Sequence, residues 1–214
     1  IVVGIGAKTY TLTILRKAAK FGGVIGVHAE NAEVADFGSK EMSAIRCKDY
    51  AMHDDARPWW VEQEAIARAV LFARETGSRL YICHMTIAQG AAYLKQAKAE
   101  GVNVSVETCP HYLLFDKTIL REKGAYAKCN PPFRSRENVE KLWSYVLDGT
   151  IDTIGSDHGP DGGLSPPRLV TAAPFLPHGY QCSKYHAACA AQGKLTSWTG
   201  CRYSGSGFGS GMGI

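Results

Sequence analysis

The chain has 214 residues and a formal net charge of +4, from 24 Lys and Arg against 20 Asp and Glu. No run of Lys and Arg is dense enough for a nucleic-acid face or an anionic membrane surface, and no apolar run is long enough to span a bilayer. The 45% apolar content suffices for one folded domain or slightly more, and seven Cys without paired short spacings argue against a disulfide framework. With no basic leader ahead of Ile1-Val2-Val3, the expectation is a cytoplasmic protein with reduced thiols, and a piece of a longer one.

In chain order, Ile1 to Tyr10 is ambiguous, because a strand over Ile1-Val2-Val3 is broken at once by Gly4 and Gly6. From Thr11 to Lys20 the apolar residues fall at helical spacing, and Gly22-Gly23 ends the run. Val24 to Val27 reads as a short buried strand closed by His28. Residues 31 to 57 form a long charged connection with one helical stretch around Val34 to Met42. Trp60 to Thr76 has a clear helical period, Gly77-Ser78 turns the chain, and Leu80 to Cys83 is a second strand followed by His84. Ala88 to Glu100 is a helix closed by Gly101, and Val102 to Glu107 a strand that runs into Thr108-Cys109-Pro110-His111-Tyr112. Asp116 to Lys123 reads as a short helix and Ala125 to Cys129 as an extended segment, before Asn130-Pro131-Pro132 forbids regular structure. Glu137 to Leu147 is the next helix. Ile151 to Ile154 is a final strand, ending in Gly155-Ser156-Asp157-His158-Gly159-Pro160.

Strands alternating with helices predict parallel β/α units, whose strand carboxyl ends gather on one side. A single strand-terminal His is more often a structural residue than a ligand. Here His28, His84 and Asp157 each close a short apolar strand, which would project all three from one end of one sheet. Two imidazoles and a carboxylate suit zinc or a similar divalent ion that acidifies water, with the carboxylate also able to take a proton.

Six segments in order resemble one family. They are Val27-His28-Ala29-Glu30-Asn31, Ala56-Arg57-Pro58 with Glu62 and Glu64-Ala65-Ile66, Ile82-Cys83-His84-Met85-Thr86, Glu107-Thr108-Cys109-Pro110-His111-Tyr112-Leu113, Lys128-Cys129-Asn130-Pro131-Pro132-Phe133-Arg134, and Ile154-Gly155-Ser156-Asp157-His158-Gly159-Pro160. As a set they look like the cyclic-amide branch of the amidohydrolase superfamily, which comprises allantoinase, dihydropyrimidinase or hydantoinase, and dihydroorotase. The resemblance implies an α/β fold, a TIM-type (β/α)8 barrel with a binuclear zinc centre, of which this chain holds strands five to eight. It implies His28 and His84 as metal ligands closing strands five and six, and Asp157, closing strand eight, as both ligand and general base and acid. The Asn130 loop would meet the substrate's ring amide, while His111 and His158 would support the ligands from behind. The reaction implied is attack of a metal-bound hydroxide on a ring carbonyl of a small cyclic ureide or imide. The complete protein is expected to be a homo-oligomer without nucleic-acid or membrane partners.

The chain departs from the family in lacking its first-strand His-x-His pair and a fourth-strand lysine in the family's setting, since Lys8 stands too close to His28. A non-catalytic relative that keeps the barrel for assembly is the competing reading, with a phosphotriesterase-like or deaminase enzyme behind it. Residues 1–160 form the barrel portion on this reading. Residues 161–214 hold one acidic residue, Asp161, and ten of the 23 glycines, without any period. They are expected to be a low-complexity tail or the product of a shifted reading frame after Pro160, which translation of the other forward frames would test.

Overall fold

Apolar runs of four or five residues between turn-forming glycines pair more readily than they coil, and here they pair in parallel because a helix intervenes each time. The computed structural model describes residues 2–4, 8–45, 48–155 and 157. Its elements run β1 (Val2–Gly4), α1 (Lys8–Ala19), β2 (Val24–His28), α2 (Ala32–Ala44), α3 (His53–Ala56), α4 (Trp59–Thr76), β3 (Arg79–Ile82), α5 (Ala88–Ala99), β4 (Val104–Thr108), α6 (Pro110–Leu114), α7 (Ile119–Lys123), α8 (Arg136–Leu147) and β5 (Thr153–Ile154), with 3₁₀ turns at Tyr50–Met52 and Gly124–Ala127. The five strands form one sheet in the order β1-β2-β3-β4-β5, every neighbour parallel.

Register sorts the two faces of the sheet. Gly26 pairs with Tyr81, Tyr81 with Ser105, and Glu107 with Thr153, so these residues share one face. The other face carries Ile25, Val27, Leu80, Ile82, Val104 and Val106, all buried in one core with Leu15, Ile66, Val70, Leu94 and Trp143 from the helices. Each such side chain taken fully from water contributes about 1.5–3 kcal/mol, which holds the helical layer to the sheet. One face is therefore an apolar helix-packing face, and the other is set with hydroxyl and carboxyl groups.

Helix ends follow their sequence signals. Asn31 accepts from Val34 N at 3.3 Å to start α2, Ser135 accepts from Asn138 N at 3.3 Å to start α8, and Gly77 stops α4 in the left-handed conformation at φ 65°. Several boundaries differ from the sequence reading. β1, in the stretch whose sequence is ambiguous, is a strand beside β2, so the sheet has one strand more than the four expected. Val102 lies outside the strand, in the turn that follows α5, its N–H closing on Ala97 O at 3.0 Å, and β4 begins two residues later. β5 is shortened to two residues because the Asp152 carboxylate takes the Val106 N–H at 2.7 Å, in place of a strand carbonyl. Ala125 to Cys129 is not extended: Gly124, at φ 57°, reverses the chain and Lys128 N closes on Ala125 O at 3.2 Å.

Cys83, Cys109 and Cys129 are buried free thiols, as expected, and burial pushes Cys83 and Cys129 up to about 12, which leaves them protonated. Among the described residues no helix is long and apolar enough to cross a membrane. The reading of residues 161–214 as a tail, and the role given to His158, lie outside the described residues.

Candidate functional site

His28 is the last residue of β2 and His84 follows Cys83 at the end of β3, so neighbouring parallel strands deliver both rings to one rim. His28 Nδ1 lies 3.1 Å from His84 Nε2, with ring centroids 4.7 Å apart and edge to face. The opposite nitrogen of His28, Nε2, lies 2.8 Å from Glu30 Oε2, and Arg57 donates to the same oxygen at 2.9 Å. Burial alone would push the Glu30 carboxyl up, but the His28 hydrogen bond and the Arg57 charge hold it at about 2. An ionised Glu30 makes Nε2 of His28 the protonated nitrogen, which turns the lone pair of Nδ1 toward His84. His84 is itself 6% exposed, and burial, with His28 adding to it, lowers its imidazole to about 4. Its Nδ1 is buried without a hydrogen-bond partner among the described residues.

Two nitrogens bound to one tetrahedral zinc at about 2.0–2.1 Å stand about 3.3 Å apart. The 3.1 Å between His28 Nδ1 and His84 Nε2 is close to that separation, so the pair fits a shared ion. Asp157 follows β5, exposed, with its carboxyl raised above the ordinary value because desolvation outweighs the pull of His28. The structure does not draw all three into one cage. Among the described residues, no three His, Cys, Asp or Glu side chains gather closely enough to hold a metal.

The backbone marks the same residues by a second route. Among the described residues, the non-glycine positions with positive φ are His84, at 37°, and Asp157, at 48°. The left-handed region is strained for a residue with a Cβ, and such strain persists where the surroundings enforce it, often at active sites.

Asn130 is exposed, between buried Cys129 and the Pro131 that follows a cis bond, and Tyr112 donates to Pro131 O at 2.7 Å. Its Oδ1 lies 2.9 Å from His53 Nε2, which also lies 3.1 Å from Cys129 O. Since a carbonyl only accepts, Nε2 of His53 carries its proton, and the Asn130 atom facing it is the oxygen. The amide nitrogen of Asn130 then points away from His53, as a donor. His111 is 6% exposed and packed against Tyr112 and Phe133, with centroids at 4.1 and 5.8 Å; burial, then the charge of His84, lowers it to about 3.

Behind these residues lies a buried polar network. Arg134 donates to Asp54 (2.7 Å), Glu62 (2.9 Å), Thr86 Oγ1 (3.0 Å) and Arg57 O (2.6 Å), while Glu62 accepts from Thr86 N at 2.8 Å. Glu30, Glu62 and Arg134 lie within the sequence motifs without any pattern that marks a role for them, and nothing in the sequence marks His53. Only the proximity of Glu30 to His28, two residues away, was a usable signal.

No protein-family model matches the chain. Among curated proteins it is 38% identical over 165 residues to an allantoinase of Solibacter usitatus, covering 76% of this chain and 35% of that protein. It is 44% identical over 149 residues to an allantoinase of Rubrobacter xylanophilus, covering 68% and 32%. The chain belongs to the cyclic-amide branch of the amidohydrolase superfamily. A solved D-hydantoinase matches 91% of the chain and 46% of its own length with a TM-score of 0.79 at 28% identity. The L-hydantoinase (dihydropyrimidinase) of Arthrobacter aurescens matches 73% and 37%, with a TM-score of 0.71 at 34% identity. The chain thus spans about a third of the length of the curated relatives it matches, and its β/α units are those of the hydantoinase fold.

Proposed function

We propose that the chain carries part of the active site of a metal-dependent cyclic amidohydrolase that opens the ring of allantoin, or of a hydantoin or dihydropyrimidine, by hydrolysis. The observation that carries this reading is the facing of His28 Nδ1 and His84 Nε2 at 3.1 Å, on adjacent strand ends of a hydantoinase-like sheet. His28, His84 and Asp157 would hold a divalent ion, which we assign as zinc, one of two in the complete protein. When bound, such an ion acidifies water and polarises a carbonyl.

The chain's own residues have distinct tasks. Glu30 and Arg57 fix the tautomer of His28, so that its free lone pair faces the site. His84 is neutral above about pH 4, which leaves it a lone pair to give. Asp157, with its carboxyl raised, is the better proton acceptor for it: it takes a proton from the attacking water and passes it to the leaving ring nitrogen. The Asn130 loop meets the ring amide, and the buried His111 backs the His84 side of the site. A relative kept only for assembly would have no use for two strained residues at the strand ends.

The test is ring opening by the complete protein on allantoin, dihydrouracil and 5-substituted hydantoins, with Asp157→Asn as the variant. We expect turnover on one class and its loss in the variant, whose amide cannot accept the proton, while circular dichroism is unchanged. Activity in Asp157→Asn within about tenfold of the parent would refute the assignment.

A further inference from the structure

Glu107 is a buried carboxylate, 5% exposed, on the polar face of the sheet, and the mechanism above gives it no task. Its position nonetheless bears on both strand ends that carry the strained residues: it meets His84 directly and packs on Gly155, two residues before Asp157. Its main-chain oxygen accepts from Met85 N at 2.8 Å, and its Oε1 lies 3.4 Å from His84 N, so one residue holds the turn that puts His84 at positive φ from two sides. Its Oε2 accepts from the Tyr81 hydroxyl at 2.6 Å, and that hydroxyl also lies 2.7 Å from Thr153 Oγ1 on β5. Burial, then the Glu107 hydrogen bond, raises the Tyr81 phenol, which keeps it a donor.

The second strand end is reached by close packing. A Cβ added at Gly155 would stand 2.6 Å from Glu107 Cδ and 2.7 and 2.8 Å from its two oxygens. The carboxylate therefore lies flush on the β5 backbone, two residues before Asp157, in space that any side chain at position 155 would take.

We propose that Glu107 is a positioning residue: its carboxylate clamps the ends of β3 and β5 to β4, and so sets His84 and Asp157 for metal binding. This rests on the metal reading above. The residue type suits the task, since a carboxylate accepts from the Tyr81 hydroxyl and the His84 N–H at once and presents no donor to either. An amide can take the same place, with its oxygen toward His84 N and its NH₂ toward the Tyr81 hydroxyl, provided that hydroxyl donates to Thr153 instead. An alanine cannot.

The test is Co²⁺ binding by the purified chain, followed by visible absorbance and by competition with Zn²⁺, with far-ultraviolet circular dichroism as the control for folding. Partners one step behind a ligand typically cost 10–100-fold in metal affinity when removed, so Glu107→Ala is expected to weaken Co²⁺ by at least about tenfold and to alter the band intensities. Glu107→Gln is expected to restore affinity to within about threefold, and Gly155→Ala, by displacing the carboxylate, to behave like Glu107→Ala. A purely structural role would change stability without this pattern of spectral loss and rescue. A folded Glu107→Ala chain with wild-type affinity and spectrum overturns the proposal; if that variant does not fold, Gly155→Ala and Tyr81→Phe decide by the same readout. His84→Ala separates the two readings: Co²⁺ bound equally by it and by the parent chain overturns the metal assignment, and the role of Glu107 with it.

Discussion

Acidification should cost the fold stability through His53, by an amount that can be worked out in advance. Burial, followed by the charge of Lys128, lowers this imidazole from the ordinary 6.5 to about 4, against the opposing hydrogen bonds to Asn130 and Cys129. In the unfolded chain the ring takes its proton near 6.5, and in the fold only near 4. Between these values the unfolded state binds the extra proton. The contribution is therefore intact above 6.5, is lost as pH falls through the window from 6.5 to 4, and falls no further below it. For those two values the loss from pH 7 to pH 5 is about 2 kcal/mol, with a ceiling of about 3 kcal/mol. Urea unfolding of the chain and of His53→Gln at both pH values isolates this share, since Gln keeps a donor and cannot titrate. The parent should lose about 2 kcal/mol more than the variant between pH 7 and pH 5. Equal losses would show that His53 titrates alike in both states, and would refute the burial argument.

Trp143, 2% exposed with Nε1 donating to Leu113 O at 2.7 Å, joins α8 to α6; Trp143→Ala should lower unfolding free energy by about 3–5 kcal/mol in urea titrations. His28→Ala and His84→Ala should each lower the zinc content of the complete protein as measured by atomic emission, and full occupancy in both would mean that the site lies elsewhere. The chain by itself should open no ring above a His84→Ala control, because the His-x-His pair and the lysine expected from the family resemblance are not among its 214 residues.

The alternation of strands and helices could be read from the sequence because β2 to β4 each follow a turn glycine (Gly23, Gly77, Gly101) and set apolar residues on the helix-packing face, and α4 keeps its period over 18 residues. β1 could not, since three residues ending in Gly carry no period, and its pairing with β2 is a tertiary fact. α6 begins with Pro110 at its first turn, a start signal that the neighbouring Cys and His obscured. For the site, strand-end position alone brought out His28, His84 and Asp157, because parallel topology converts sequence position into a place in space. His53 and Glu107 act through partners up to 77 residues away, and no local pattern encodes such a hydrogen bond, whereas Glu30 stands only two residues from His28.

The Arg134 network bears on how this sequence can change over time. One guanidinium joins Asp54, Glu62, Thr86 and the Arg57 carbonyl, in a place where Arg134 is 4% exposed and Glu62 1%. Replacing Arg134 alone leaves Glu62 as an uncompensated interior charge, whereas replacing Glu62 alone removes one of the two carboxylates of Arg134 and leaves it paired with Asp54. The first step costs about 3–5 kcal/mol, whereas exchanging a buried pair for apolar residues of matching volume can be neutral. Lysine offers no way through, since an ammonium cannot span four acceptors that a planar fork reaches together. Positions 54, 62, 86 and 134, spread over 81 residues of sequence, therefore form a single heritable unit. Drift at any one of them is barred until its partners have moved, and a lineage that crosses the gap must do so by near-simultaneous substitution.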